Sequence, residues 1–333
     1  MPDQGAALPQ LANLDDIKAC FRLLLGRDPN PEEWRGHSMH AGEALHKVVA
    51  SYVGSLEFER RGMLREDASS RPVLTALADF QIYSASDDAA VGCHVRAGVY
   101  EPEVGAIFRR ILRPGMGVLD IGANIGCFTM LGAALVGPSG YVLAIEPNGR
   151  NVRLLEASRR VNGFSQVVVA QLAAGPATGV LALHRSHSNG TTSEPGADIA
   201  ALLGAETVGC ARPDALVPAS RRIDLIKVDV EGAEYLALSG CSDIIRRDRP
   251  AIVSEFSPGL MPGISGISGP GYLSWLTGCG YRLSVITPEG GLQPEDVEGV
   301  MAAHARRGTD HVDILAEPAV AGRFGQVLGW RRR

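Results

Sequence analysis

The run Val118-Leu-Asp-Ile-Gly-Ala-Asn-Ile-Gly-Cys-Phe-Thr129 constrains this chain more than any other. An apolar stretch ends in an acid, turns through Gly122 and Gly126, and passes straight into a second apolar segment of helical character. The pattern predicts strand, tight turn and helix. Glycines let the backbone of such a turn approach a ligand closely, and the first turn of the helix offers N–H groups that have no partner within it. The next apolar run, Tyr141-Val-Leu-Ala-Ile-Glu-Pro147, ends in another acid, Glu146, where a carboxylate accepts both hydroxyls of a ribose. Together these runs predict a nucleotide-type pocket at the carboxyl ends of neighbouring strands.

Charge discriminates between ligands for that pocket. A dinucleotide calls for G-x-G-x-x-G, so that its pyrophosphate can rest against the helix N-terminus, but Asn124 and Cys127 stand where the second and third glycines would fall. Asp120 would also set a carboxylate beside a doubly charged phosphate. S-adenosylmethionine brings an ammonium and a sulfonium to the same place, and cations are the better partners for an acid. A structural turn with no ligand is the competing reading.

At 333 residues and 45% hydrophobic, the chain can bury a sizeable core with room for more than one domain. Its formal charge of -5, with arginine pairs dispersed at 159/160, 221/222, 246/247 and 306/307, argues against a dedicated nucleic-acid binder. Arg331-Arg-Arg333 reads as a solvated tail. The six cysteines lack a C-x-x-C pair, which fits a reducing compartment. His37/His40 and His184/His187 have no third ligand nearby in sequence, so no metal site is expected. With neither a signal-like start nor an uninterrupted apolar run of membrane length, the chain is expected to be soluble and cytoplasmic, without stable membrane insertion.

Two domains are expected. Residues 1–68 form an all-helical module, in which Ile17, Phe21, Leu24 and Leu25 recur at helical spacing, Gly26 to Pro31 break the chain, and Val48, Val49, Tyr52 and Val53 resume the pattern. Asp67-Ala-Ser-Ser-Arg-Pro72 is the expected linker, and residues 69–333 make the second domain. There, candidate strands at 118–121, 141–146, 167–172, 224–230, 251–256, 281–286 and 311–316 alternate with helical patterns at 125–135, 150–162, 232–247 and 271–279. This is an α/β chain with a Rossmann-like, doubly wound and mostly parallel sheet. Residues 175–183 could add a hairpin strand. The stretches 185–220 and Ser257 to Gly271 fit no regular pattern, and both leave the carboxyl side of strands, where a substrate lid would sit.

A third run, Ile223-Asp-Leu-Ile-Lys-Val-Asp-Val-Glu-Gly-Ala-Glu234, would deliver Asp229, Glu231 and Glu234 to the rim that holds Asp120 and Glu146. Clustered carboxylates are costly without a partner. A methyl transfer supplies one, since the sulfonium is positive and an attacking hydroxyl must lose its proton. Asp229 and Glu231 are the candidates for that base, or for orienting the acceptor, and Glu255 could join them.

With these runs, Tyr100-Glu-Pro102 and Glu146-Pro-Asn148, residues 80 to 317 resemble the FkbM family of S-adenosylmethionine-dependent methyltransferases. The resemblance implies a seven-stranded methyltransferase sheet and methyl transfer to oxygen, typically on a sugar, glycan or secondary metabolite. It implies that Asp120, Gly122, Asn124 and Gly126 hold the methionine part and Glu146 the ribose, with Asn148 and Ala173 near the adenosine. Enzymes that methylate amino groups often carry an Asn/Asp-Pro-Pro-Tyr/Phe turn after the fourth strand. Asp229-Val-Glu-Gly232 stands there instead, which favours oxygen. Leu25 to Pro31, Trp34 and Ser55-Leu-Glu-Phe58 resemble a small helical module found beside bacterial glycan-modifying enzymes. By association, that tilts the acceptor toward a surface polysaccharide or its lipid-linked precursor. A homodimer is compatible with the sequence. An NAD-dependent oxidoreductase and a non-catalytic adaptor on a relic fold are the alternatives.

Overall fold

A computed structural model describes residues 10–61, 70–186, 189–193 and 206–319. The terminal arginines, His187 and the first half of the expected linker lie outside the described residues, as do parts of the 185–220 stretch. Contacts divide the chain into two units, Met1–Arg71 and Pro72–Arg333.

The first unit is helical, with α-helices Leu14–Leu24, Pro31–His37, Leu45–Val53 and Leu56–Arg61. Two asparagines set its helix starts. Asn13 and Asn30 each accept from backbone N–H groups two and three residues on, while Asp16 and Glu33 return the bond to the cap backbone. Ile17, Cys20, Phe21, Leu25, Val48, Tyr52 and Phe58 close its small core. His37 Nδ1 shares a hydrogen bond with Tyr52 Oη (2.7 Å) and His40 pairs with Glu43 (2.9 Å), so structural partners account for both histidines.

The second unit opens with the hairpin β1 (Pro72–Ala76) and β2 (Gln81–Ala85), where no strand was expected. Its main sheet comprises β3 (Gly117–Ile121), β4 (Tyr141–Ile145), β5 (Val167–Ala170), β10 (Leu225–Val228), β11 (Ala251–Phe256), β12 (Tyr281–Ile286), β13 (Leu292–Glu295) and β14 (Val312–Pro318). The spatial order is β13-β12-β14-β11-β10-β3-β4-β5, with β14 antiparallel between β11 and β12. Seven of these strands are the expected methyltransferase sheet. The eighth, β13, is a short antiparallel edge carrying Pro294, a residue that edges tolerate. β3 and β4 are buried at every residue, because helices cover both faces of a parallel sheet.

A second, four-stranded sheet of β6 (Ala173–Ala174), β7 (Gly179–Ser186), β8 (Asn189–Ser193) and β9 (Glu206–Ala211) takes in parts of the stretch that showed no regular pattern. The Gly/Pro/Ser-rich stretch from Ser257 is likewise more regular than expected. Pro262 sits in the first turn of helix Met261–Ile264, and Ser268 caps helix Gly269–Gly278. The expected helix at 232–247 is two, Glu234–Ser239 and Ser242–Asp248, parted at Gly240. A Cβ there would strike the Gly175 carbonyl.

Candidate active site

The sheet order reverses at β3, whose neighbours are β4 on one side and β10 on the other. A doubly wound sheet opens a crevice at such a point. Here it is a cavity of about 270 Å³, walled by strand ends: Gly122 and Asn124 after β3, Glu146 to Asn148 after β4, Asp229 to Glu231 after β10, and Glu255 on β11. Because β14 runs antiparallel, its beginning reaches the same rim and brings Asp310 and His311. Ala173, Leu183 and Thr192 of the small sheet complete one side, and Tyr100 and Glu101 another.

The two glycines of the turn have separate reasons. Gly122 has φ +77°, and a Cβ on it would collide with the Asp229 carbonyl, so its lack of a side chain lets β3 and β10 end side by side. Gly126, at φ +94°, lies against Leu155 of helix Gly149–Val161 and does not line the cavity. Of the four non-glycine residues in the left-handed region among the described residues, Arg249 (φ 51°) ends a helix away from the cavity, and the other three are Glu101 (φ 40°), Asn124 (φ 51°) and Glu231 (φ 53°). All three line the cavity, and such conformations concentrate at functional sites.

Glu146 is 5% exposed and organises the turn. Its Oε2 accepts from the Asn124 amide (2.8 Å), and its Oε1 from the Asn148 amide (2.9 Å) and Asn151 Nδ2 (3.3 Å). Burial still pushes its carboxyl up to about 7, against those hydrogen bonds. Asn148 Oδ1 accepts from Arg150 N, while its buried Nδ2 has no hydrogen-bond partner among the described residues. Asp120 is fully buried behind the cavity wall. Thr129 Oγ1 donates to its Oδ2 (2.5 Å), Oδ1 has no partner among the described residues, and burial raises its carboxyl.

Lys227 ties the rim together. Its Nζ is buried, donates to Asp229 Oδ2 (2.9 Å) and lies 4.9 Å from the centre of the Phe128 ring. Burial works against its charge, but Asp229, Glu101 and Asp120 outweigh that and raise it. The other acids are driven toward their neutral forms. Burial, then Asp229, pushes Glu255 up to about 10 and raises Glu231. Glu101 rises to about 7, mainly through burial.

The sequence-predicted Gly122, Asn124, Glu146, Asn148, Ala173, Asp229 and Glu231 therefore meet around one cavity, while Asp120 and Gly126 stand behind it. Glu234 turns away from the rim, accepting from the Val230 and Gly232 amides beneath the turn. The Ser257 to Gly271 stretch contributes nothing to the cavity wall, and the side nearest a lid comes from Leu183 and Thr192 instead. Sequence reading assigned no part to Lys227, Glu101, Asp310 or His311. For Lys227 a signal was at hand, since a lysine inside an otherwise apolar strand needs a buried acid.

An acid-rich crevice at the switch point, a carboxylate beside a glycine turn and an unsatisfied Asn148 amide suit a nucleoside bearing positive charge, and define a methyltransferase-class site. The match is closer than class. Residues 120–283 match the family model described as methyltransferase FkbM domain, the family that the sequence motifs resemble. That match agrees with S-adenosylmethionine as the expected cofactor. Similar solved structures include methyltransferase FkbM from Methylobacillus flagellatus KT (16% identity, 64% of this chain and 50% of that one, TM-score 0.39). Others are a SAM-dependent O-methyltransferase from Thermotoga maritima (15%, 68% and 68%, 0.38) and Aeropyrum pernix fibrillarin with natively bound S-adenosyl-L-methionine (14%, 65% and 74%, 0.37). The chain spans half the length of the first. No curated protein matches it.

Proposed function

We propose that the protein transfers a methyl group from S-adenosylmethionine to a hydroxyl of a sugar, surface glycan or related metabolite. The observation that carries this reading is the Asp229–Lys227 pair at the end of β10, with Glu231 and Glu255 around the same cavity. An acidic wall attracts a cationic donor, and carboxylates beside the acceptor position handle a hydroxyl better than an amine, which needs carbonyl acceptors.

When bound, the cofactor supplies an electrophilic methyl carbon on a positive sulfur. Gly122 and Asn124 would face its methionine part, Glu146 its ribose hydroxyls and Asn148 Nδ2 its adenosine, with Asp120 adding negative field from behind the wall. Lys227 holds Asp229 in one orientation. Asp229 and Glu231 would then orient the acceptor hydroxyl or accept its proton. In the same reading, the helical unit recruits a glycan or lipid-linked acceptor, and the protein works in the cytoplasm of a bacterium. No helix among the described residues is long and apolar enough to cross a membrane.

The test compares surface glycans of cells with and without the protein by mass spectrometry, where a gain of one methyl per repeat is expected. Identical glycan masses would overturn the acceptor class. A thermal shift with NADH rather than with S-adenosylhomocysteine would restore the oxidoreductase alternative.

A further inference from the structure

His311 and Asp310 stand at the cavity as a pair that neither the family match nor the sequence motifs account for. Asp310 Oδ1 lies 2.8 Å from His311 Nδ1. Both residues line the cavity, and they precede β14, whose Val312 is in register with Phe256 one residue past Glu255. The antiparallel strand thus returns a histidine to the rim where parallel strands deposit carboxylates. When Nδ1 donates its proton to Asp310, the lone pair belongs to Nε2.

The surrounding acids are poorly placed for the base's task. Asp229 is tied to Lys227 Nζ. Glu255 is pushed up to about 10 by burial and by Asp229, and its Oε1 already accepts from Ser257 Oγ (2.7 Å). Burial and Asp229 also raise Glu231 and Asp313, each partly offset by His311. Asp310, by contrast, is held below the usual carboxylate range by its hydrogen bond from His311.

We infer that His311, oriented by Asp310, takes the proton of the acceptor hydroxyl, leaving Asp229 and Glu231 to orient the acceptor. The inference rests on the hydroxyl-methylation reading above. The hydroxyl oxygen forms the new C–O bond with the methyl carbon as the C–S bond breaks, and that bond's electron pair stays on sulfur as a neutral thioether. The O–H proton passes to Nε2. Asp310 balances the imidazolium, which then loses its proton to water.

Two measurements test it. Nitrogen-15 spectra of histidine-labelled protein, with the His311 signal assigned by its loss in His311→Gln, should show the Nδ1-protonated tautomer, and Asp310→Asn should shift it toward Nε2. Methyl transfer from radiolabelled S-adenosylmethionine to p-nitrophenyl glycosides should fall about 100-fold in kcat for His311→Gln, with KM nearly unchanged and the acid limb of the pH profile gone. Calorimetry with S-adenosylhomocysteine should give wild-type affinity, showing that the variant is folded. An Nε2-protonated His311 in the wild type, or a variant within threefold of wild type with its acid limb intact, overturns the inference and leaves hydroxyl methylation standing. A wild type that labels no glycoside overturns the hydroxyl reading and His311's part in it together, while the tautomer signal still reports on the pair independently.

Discussion

The helical unit and the cavity rim treat acidic side chains in opposite ways. In the helical unit Arg27 lies 2.7 Å from both Glu33 and Glu57, and these hydrogen bonds hold each carboxyl down to about 2 at a half-exposed surface. At the rim, burial drives Glu101 and Glu146 up to about 7 and Glu255 up to about 10, around a single buried lysine, Lys227, among the described residues. An acid with its cation built into the chain needs nothing from outside. Acids buried without enough cations cost free energy that only a ligand's positive charge repays, so the rim gives up stability for binding.

If the rim serves chemistry, its acids should matter to rate far more than to folding. Asn at 229 or Gln at 231 should slow turnover about 100-fold or more, by disturbing the acceptor's orientation, while leaving S-adenosylhomocysteine affinity nearly intact in calorimetry. Turnover within threefold of wild type for both variants would make the rim as structural as the Arg27 network.

The two regions should also answer pH with opposite signs. Glu101, Glu146 and Glu234 sit near 7 in the fold against 4.5 in the unfolded chain, so the second unit is fully stable below about 4.5 and loses stability as pH rises through 7. Each of these three carboxyls should contribute a loss on the order of 3 kcal/mol without cofactor. Glu33 and Glu57 sit near 2, so the helical unit is fully stabilised above 4.5 and weakens as pH falls toward 2. Hydrogen exchange, corrected for intrinsic rates, resolves the two units within one chain. Parallel pH dependence would erase the contrast.

Glu146 sharpens the comparison, because it is both a structural hub and a ribose candidate. Glu146→Ala should weaken S-adenosylhomocysteine binding by about 1 to 3 kcal/mol, the range for a charge-assisted contact. Unchanged affinity would reduce Glu146 to holding the Asn124 and Asn148 amides.

Sequence made most of the main sheet legible because seven of its eight strands are apolar runs bounded by glycine, proline or charge, and the expected runs fall within a few residues of those strands. Gly122, Asn124, Glu146, Asp229 and Glu231 were legible for the same reason, since they end those runs. Glu101 and His311 reach the cavity through topology instead. One stands at a left-handed turn ahead of helix Pro102–Ile111, the other ahead of a strand whose antiparallel direction no local pattern reveals. The stretch beyond Ser257 misled because glycine and proline read as breakers, whereas Pro262 and Pro270 occupy first-turn positions that helices accept. Asp120 read as a ligand-facing acid, but Thr129, one position into the buried face of the next helix, holds it behind the wall.

The smallest expected effect lies at the boundary between the two regions. Each unit has its own apolar core, with Ile17, Phe21 and Tyr52 in one and the strands in the other, and every residue around the cavity comes from the second unit. A chain of residues 69–333 should therefore bind S-adenosylhomocysteine within about twofold of the full chain, a difference below 1 kcal/mol. If the helical unit recruits the acceptor, the same truncation should lower activity on a large native glycan more than on a p-nitrophenyl glycoside, because only the large acceptor extends beyond the cavity. Equal losses on both would deny it a recruiting role. Lost cofactor binding or solubility would show that the two units share a core, and that both sets of acids belong to one cooperative fold.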